Sequence, residues 1–276
     1  VAVILALISA ASYGVSDFLG GLFSKRSGPW QIATIGQSSS ALTALAAGLF
    51  VLPGSPTPAD LVWGAAAGMG GGIGASFLYR GLAGAKMNVV APLSAIGSAL
   101  LPVAAGIGLG DRPPLLTALG VACAFPAIFL ISRATDEDPA HRGGVADGII
   151  AGLGFGFLFI CLGQVSSSSG MLPIAALQTV SVLTVIVTAS SLKQRWKPRD
   201  PMALRALLMG PLGVSATGCF MYATHHGLLS VVSVISALYP ASTVALAAIF
   251  LRERVRGWQG VGLALAVASV TMVAAG

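Results

Sequence analysis

Apolar residues run along this chain in stretches of about twenty, with no alternation that would give an element one wet face and one dry one. A helix needs about 20 largely apolar residues to cross a hydrocarbon core of about 30 Å. Ten windows reach that length, roughly 1–23, 31–52, 61–83, 88–109, 115–133, 145–164, 172–192, 203–225, 230–250 and 257–276. Between them lie short connectors with the residues of turns, such as "PGSPTPAD", "GDRPP", "SSSSG" and "KQRWKPRDP". The pattern predicts an all-α integral membrane protein of ten transmembrane helices.

Composition agrees. The 276 residues are 55% hydrophobic and only 9% charged, with a mean hydropathy of +0.89. A soluble domain carries roughly 25% charged residues, so this chain lacks the polar surface that water requires, and its expected solvent is a lipid bilayer. The formal net charge of +6 does not mark a nucleic-acid binder, because the basic residues sit in short connectors and form no aromatic-studded face. All of them but Arg112 fall in the odd-numbered connectors or at their edges. By the positive-inside rule those connectors are cytoplasmic, which puts both termini on the periplasmic side of a bacterial inner membrane. Cys123, Cys161 and Cys219 lie one per hydrophobic segment, without metal-ligand or disulfide spacing. The first stretch lacks a charged leader and is read as a span, not a signal peptide.

The segment "GAAAGMGGGIGASFLYRG", residues 64–81, invites a phosphate-loop reading, yet no frame gives G-x-G-x-x-G. It contains instead two small-residue ladders with a period of four, Gly64/Gly68/Gly72 and Ala66/Gly70/Gly74, which let another helix approach closely. The chain also resembles itself at an offset of 142. "LSAIGSALLPVAAGIGLGDRPPLLTALGVA" from Leu93 lies over "ISALYPASTVALAAIFLRERVRGWQGVGLA" from Ile235, aligning Asp111-Arg112 with Glu253-Arg254 and Gly120 with Gly262. Gln37 and Gln178, and Tyr79 and Tyr222, match at offsets within one residue of this. The organisation expected is a five-helix repeat at 1–135, a connector at 136–142 and a second five-helix repeat at 143–276. Since five is odd, the second repeat enters the membrane inverted, giving a pseudo-twofold axis in the membrane plane around a central cavity.

The stretch "SALYPASTVALAAIFLRERVRGWQGVGLALAVASVTMV" from Ser236 resembles the EamA domain of the drug/metabolite transporter superfamily, with a proline in the ninth helix, an acidic-basic connector and a small-residue helix after it. The first half resembles it more weakly, with Asp111 at the glutamate position. Among the superfamily, the chain is most similar to ten-helix bacterial exporters of amino acids and related metabolites of the YddG type. The resemblance implies a basket of helices around a central cavity, with the fifth and tenth helices peripheral.

Candidate chemistry is sparse. Asp17 is an acid well inside a span, and intramembrane ionisable groups mark function by default. It lies eight residues before Lys25, about 12 Å along a helix. Arg80 stands at a similar depth in the third span, so an Asp17–Arg80 ion pair closing the cytoplasmic side is expected; a protonation site coupled to the proton gradient, a contact for a substrate amine and a snorkelling acid are the other readings. Gln37 and Gln178 are mid-span amides, for cavity lining or interhelical hydrogen bonding. Tyr13, Tyr79, Phe155, Tyr222 and Tyr239 are an aromatic set for a substrate cage or for packing. Pro92, Pro102, Pro211 and Pro240 interrupt helices, and Pro92 and Pro240 are the expected gating elements. His225 and His226 are adjacent, hence about 100° apart on a helix, and cannot clamp one metal.

No nucleophile-base-acid set, metal spacing or cofactor motif emerges, so neither an enzyme nor a cofactor or metal is expected. A channel would need a continuous polar pore. A phosphorylated substrate would require Lys or Arg at the cavity centre. A zwitterion can be held by amides, hydroxyls and helix ends beside an aromatic pocket. The expected function is therefore a monomeric secondary transporter exporting neutral amino acids or related small metabolites. A proton-coupled exporter of cationic drugs is the alternative, and a membrane-embedded lipid-modifying enzyme a distant third.

Overall fold

A computed structural model of the chain describes residues 1–24, 26–83, 87–132, 142–198, 201–250 and 257–276. Among these residues eleven α-helices follow one another: α1 (Ala2–Ser24), α2 (Pro29–Ala46), α3 (Pro58–Ala83), α4 (Met87–Leu109), α5 (Leu115–Ser132), α6 (Arg142–Leu162), α7 (Leu172–Ser191), α8 (Met209–Thr224), α9 (Leu229–Ser236), α10 (Tyr239–Phe250) and α11 (Gly257–Ala275). A π-helical turn, Ala47–Val51, extends α2, and a 3-10 segment, Pro201–Leu208, leads into α8. Seven of the resulting spans are long and apolar enough to cross a bilayer unaided, and three shorter apolar helices complete ten. Phe50, at 83% exposure, and Leu42, Leu115 and Ile249 turn outward, as lipid-facing side chains do. The chain is an all-helical, multi-pass membrane protein. Half of the basic residues of the odd connectors, namely Lys25, Lys86, Arg133, Arg199, Arg252, Arg254 and Arg256, and nearly all of the expected central connector lie outside the described residues.

The ninth span is made of α9 and α10. Pro240 has no N–H, so the helical ladder lapses at its entry: Leu238 N–H donates to Ile235 O at 3.1 Å, and Ala241 N–H to Leu238 O at 2.9 Å. The divided helix brings Tyr239 to the break. By contrast α4 runs unbroken through Pro92, and α5 through Pro126.

Glycine and alanine make the contacts between helices. The two ladders of α3 face different partners, where the sequence suggested one. A Cβ on Gly64 or Gly68 would overlap the carbonyl oxygens of Pro173 and Leu177 on α7, and one on Gly72 would lie 2.6 Å from Thr184 Cβ. The second ladder rides on α6: a Cβ on Gly70 would lie 2.5 Å from Gly154 O. Buried serines lock the seams by donating to carbonyls of other helices, Ser9 to Ala216 O at 2.8 Å, Ser181 to Gly68 O at 2.9 Å and Ser269 to Gly120 O at 2.7 Å.

These contacts obey the inverted repeat residue by residue. Gly14 of α1 meets Tyr239 O of α10, and 142 residues on from one and back from the other, Gly156 of α6 meets Gly97 O of α4. On the periphery, Gly120 of α5 meets Val273 of α11, and Gly262 of α11 meets Ile131 of α5. Such reciprocal pairs are what a twofold axis between the halves generates.

The end of the bundle that carries connectors two, four, six and eight is tied together by a latch of hydrogen bonds. "TPAD" builds a capping box at the start of α3: Asp60 N–H donates to Thr57 Oγ1 at 3.2 Å, and Thr57 N–H and hydroxyl return bonds of 2.8 Å to the Asp60 carboxylate. The same carboxylate takes the N–H of Ser166, at 2.7 Å, and its hydroxyl, at 2.9 Å, from connector six. Ser55 N–H donates to Ser168 O at 2.9 Å beside it. Asp111 caps the N-terminus of α9, accepting from Ser230 N–H at 2.9 Å. Asp60 is 2% exposed, so Asp60→Ala is expected to cost about 3 kcal/mol, the scale of charged hydrogen bonds left unmade, and to lower the melting temperature of the detergent-purified protein by several degrees.

Candidate functional site

A cavity lies on the pseudo-twofold axis, walled by α1, α2, α3, α4, α6, α7, α8 and α10, while α5 and α11 contribute nothing to it. Its wall repeats the symmetry of the fold. Tyr13 and Phe155, Ser16 and Leu158, Asp17 and Phe159, Gly36 and Gln178, Gly71 and Gly213, and Ala75 and Thr217 are all lining pairs 142 apart. The backbone positions are equivalent, and the side chains are not.

Among the described residues of this wall, Asp17 carries the one charge. The Tyr79 hydroxyl lies beside its carboxylate, with Ser16 next to the same hydroxyl. Tyr79 reaches this position because Gly20 of α1 leaves room for it: a Cβ there would lie 2.7 Å from the ring. Tyr239, placed at the break before α10, shares a 3.4 Å hydrogen bond with Ser94 Oγ, and its ring centroid is 6.4 Å from that of Tyr13. Opposite, Phe155 presses on Gly74, where a Cβ would lie 2.7 Å from the ring. Phe159 stacks on Phe220 at 4.1 Å and meets the edge of Tyr13 at 5.9 Å. Two polar oxygens of the wall have no protein partner, the Tyr13 hydroxyl and Gln178 Oε1, the latter on a side chain only 3% exposed. A buried polar atom left unpaired is costly unless a ligand or water completes it.

The structure thus brings Tyr13, Asp17, Gln37, Tyr79, Phe155, Gln178 and Tyr239 to one cavity. Two expectations need correction. Arg80 does not pair with Asp17; it makes a two-point ion pair with Asp147 of α6, Nε to Oδ2 at 3.3 Å and a second, closer contact to Oδ1, and its guanidinium lies 4.3 Å from the Phe77 ring centroid. The reason is helical: Arg80 follows Tyr79 by one residue, about 100° round α3, so with Tyr79 in the cavity Arg80 points to α6. Tyr222 is the second correction. It stands outside the wall, edge-on to His225 at 5.8 Å. Its repeat mate at the true offset of 142 is Arg80, and the mate of Tyr79 is Met221.

Pro240 is buried next to Tyr239, at the break that positions it. Pro92 lies within α4, and its side chain is outside the described residues. His225 Nε2 lies 2.9 Å from Val165 O, joining the end of α8 to connector six and not to the cavity. Asp147 was missed in the sequence because it lies two residues inside the sixth window, close to the connector acids; its fixed spacing from Arg142 carried no signal of a partner on α3.

Among known proteins, no curated protein matches the chain. A crystal structure of another protein superposes on it with a TM-score of 0.74 over 98% of this chain and 98% of its own, at 15% identity, which speaks for the fold alone. Residues 143–275, the second set of five spans, are similar to the EamA-like transporter family, which belongs to the drug/metabolite transporter superfamily.

Proposed function

We propose that the whole chain is a secondary transporter of this superfamily, close to the YddG type, that exports neutral amino acids, preferentially aromatic or hydrophobic ones, across the bacterial inner membrane by alternating access. The observation that carries the reading is the make-up of the cavity wall among the described residues: one carboxylate, Asp17, a set of tyrosine, glutamine and serine groups, an aromatic face, and no Lys, Arg or His. A substrate ammonium finds its counter-charge at Asp17. The substrate carboxylate finds hydrogen-bond donors in the Tyr13 hydroxyl, which has no protein partner, and in the amide N–H groups of Gln37 and Gln178, while the unpaired Gln178 Oε1 is free to accept from the substrate ammonium. A phosphate-bearing substrate meets no cation. The inverted repeat supplies two equivalent packings of the halves about this cavity, which is what alternating access exchanges. With the basic connectors cytoplasmic, the latched end faces the periplasm, and a single copy contains the entire cavity, in keeping with a monomer.

A second reading, proton-coupled export of organic cations, is favoured by one observation: Asp17 has no basic partner on the wall. Both are tested with purified protein in proteoliposomes, using labelled aromatic and small neutral amino acids, a cationic dye and a sugar phosphate, with and without a pH gradient. Saturable flux of neutral amino acids is the expected result. Flux of the dye alone, dependent on the gradient, replaces the first reading with the second, and flux of the sugar phosphate overturns both.

A further inference from the structure

The pseudo-twofold axis sets α1 and α6 at equivalent places on opposite sides of the cavity, and the three lining positions they share differ in one consistent sense. Tyr13, Ser16 and Asp17 on α1 become Phe155, Leu158 and Phe159 on α6. Every hydroxyl and the carboxylate are replaced by carbon. The cavity therefore has a polar wall on α1 and an apolar one on α6, although the backbones that carry them are related by symmetry.

The apolar wall is fixed from behind. Phe155 is seated on Gly74, so close that a Cβ there would come within 2.7 Å of the ring. Phe159 lies nearly parallel to Phe220, at 14° and 4.1 Å, and Phe220 is fully buried. Rings held this way present a rigid flat surface, and a flat apolar group packs on such a surface better than a branched one does.

We infer that Phe155 and Phe159 are the specificity-determining residues of this transporter: they receive the apolar side chain of the substrate, while α1 holds its amino group, so that each substrate binds in one orientation across the axis. The inference rests on the amino-acid reading above and adds the division of labour between the walls. It makes the substrate class amphipathic primary amines with a planar apolar tail. It also makes the two ends independent, since Asp17 reads the amine whatever the tail, and α6 reads the tail whatever the amine.

The test is transport kinetics in proteoliposomes for phenylalanine and leucine as the paired probes, in Phe155→Leu, Phe159→Leu and Phe159→Tyr, with thermal melting to confirm the fold. Each leucine variant is expected to raise the ratio of KM for phenylalanine to KM for leucine at least fivefold, and Phe159→Tyr, which keeps the ring, to hold that ratio within twofold. Asp17→Asn is expected to raise both KM values by the same factor. A ratio unmoved in correctly folded Phe155→Leu and Phe159→Leu overturns the inference, as does an Asp17→Asn effect confined to one probe. If the wild-type protein carries neither probe, the amino-acid reading fails first, a result separable from the others because it needs no variant.

Discussion

Asp17→Asn is expected to reduce initial transport rates in proteoliposomes by about ten- to a hundred-and-fiftyfold, the factor that corresponds to losing a charge-assisted hydrogen bond of roughly 1.5–3 kcal/mol. Among the lining residues no arginine neutralises the carboxylate, so its charge is available to a substrate; its neighbour on the wall is the Tyr79 hydroxyl, which can donate to an amide oxygen as well. The helix bundle is therefore expected to melt within a few degrees of wild type. Asp17→Glu should retain more flux than Asn, being charged though displaced by one methylene. Flux within threefold of wild type in Asp17→Asn would remove the carboxylate from substrate binding.

The second large effect is on assembly. Gly68→Val is expected to destabilise the protein by on the order of 3 kcal/mol or more, the upper end of overpacking costs, and to leave little folded material in detergent. The added Cβ would overlap a backbone carbonyl, Leu177 O, and lie 2.8 Å from Val180 Cβ. Neither can retreat without moving α7, which also carries Gln178 and Ser181 of the cavity wall. Gly260→Ala is the control: nothing lies within 4 Å of its Cβ, so the substitution should be neutral or gain about 0.5–1 kcal/mol from helix propensity. Equal melting temperatures for the two variants, read by scanning fluorimetry, would mean that the ladder does not hold α3 against α7.

The span count, the small-residue ladders and the inverted repeat were legible because each is a pattern along the chain, and a helix converts such patterns directly into faces. Which face meets which neighbour was not. The residues 64–81 announce close packing, yet only the assembled bundle assigns one ladder to α7 and the other to α6. The cavity wall was legible wherever a polar or aromatic residue stood mid-span, as at Tyr13, Asp17 and Gln178. It failed where rotation decides: Arg80 and Tyr79 are neighbours in sequence and face different helices, and aligning Tyr222 with Tyr79 slipped the repeat by one residue, enough to turn a side chain out of the cavity. "TPAD" signals a helix start. The second duty of Asp60, holding Ser166 across the bundle, depends on a residue 106 positions away that no local signature announces.

Two inverted copies of identical sequence would have no resting preference, because the packings open to either side would be the same structure viewed from opposite faces. Any bias in that equilibrium must come from positions where the copies differ. The Asp60 latch is one: its mate 142 residues on is Met202, which offers no carboxylate for the reverse closure. If the latch contributes about 2–3 kcal/mol, a population ratio of roughly thirty to a hundred and fifty to one follows. For a carrier built this way, the unmatched aspartate sets its waiting posture, and weakening it should turn a one-sided loader into one that fills from both faces.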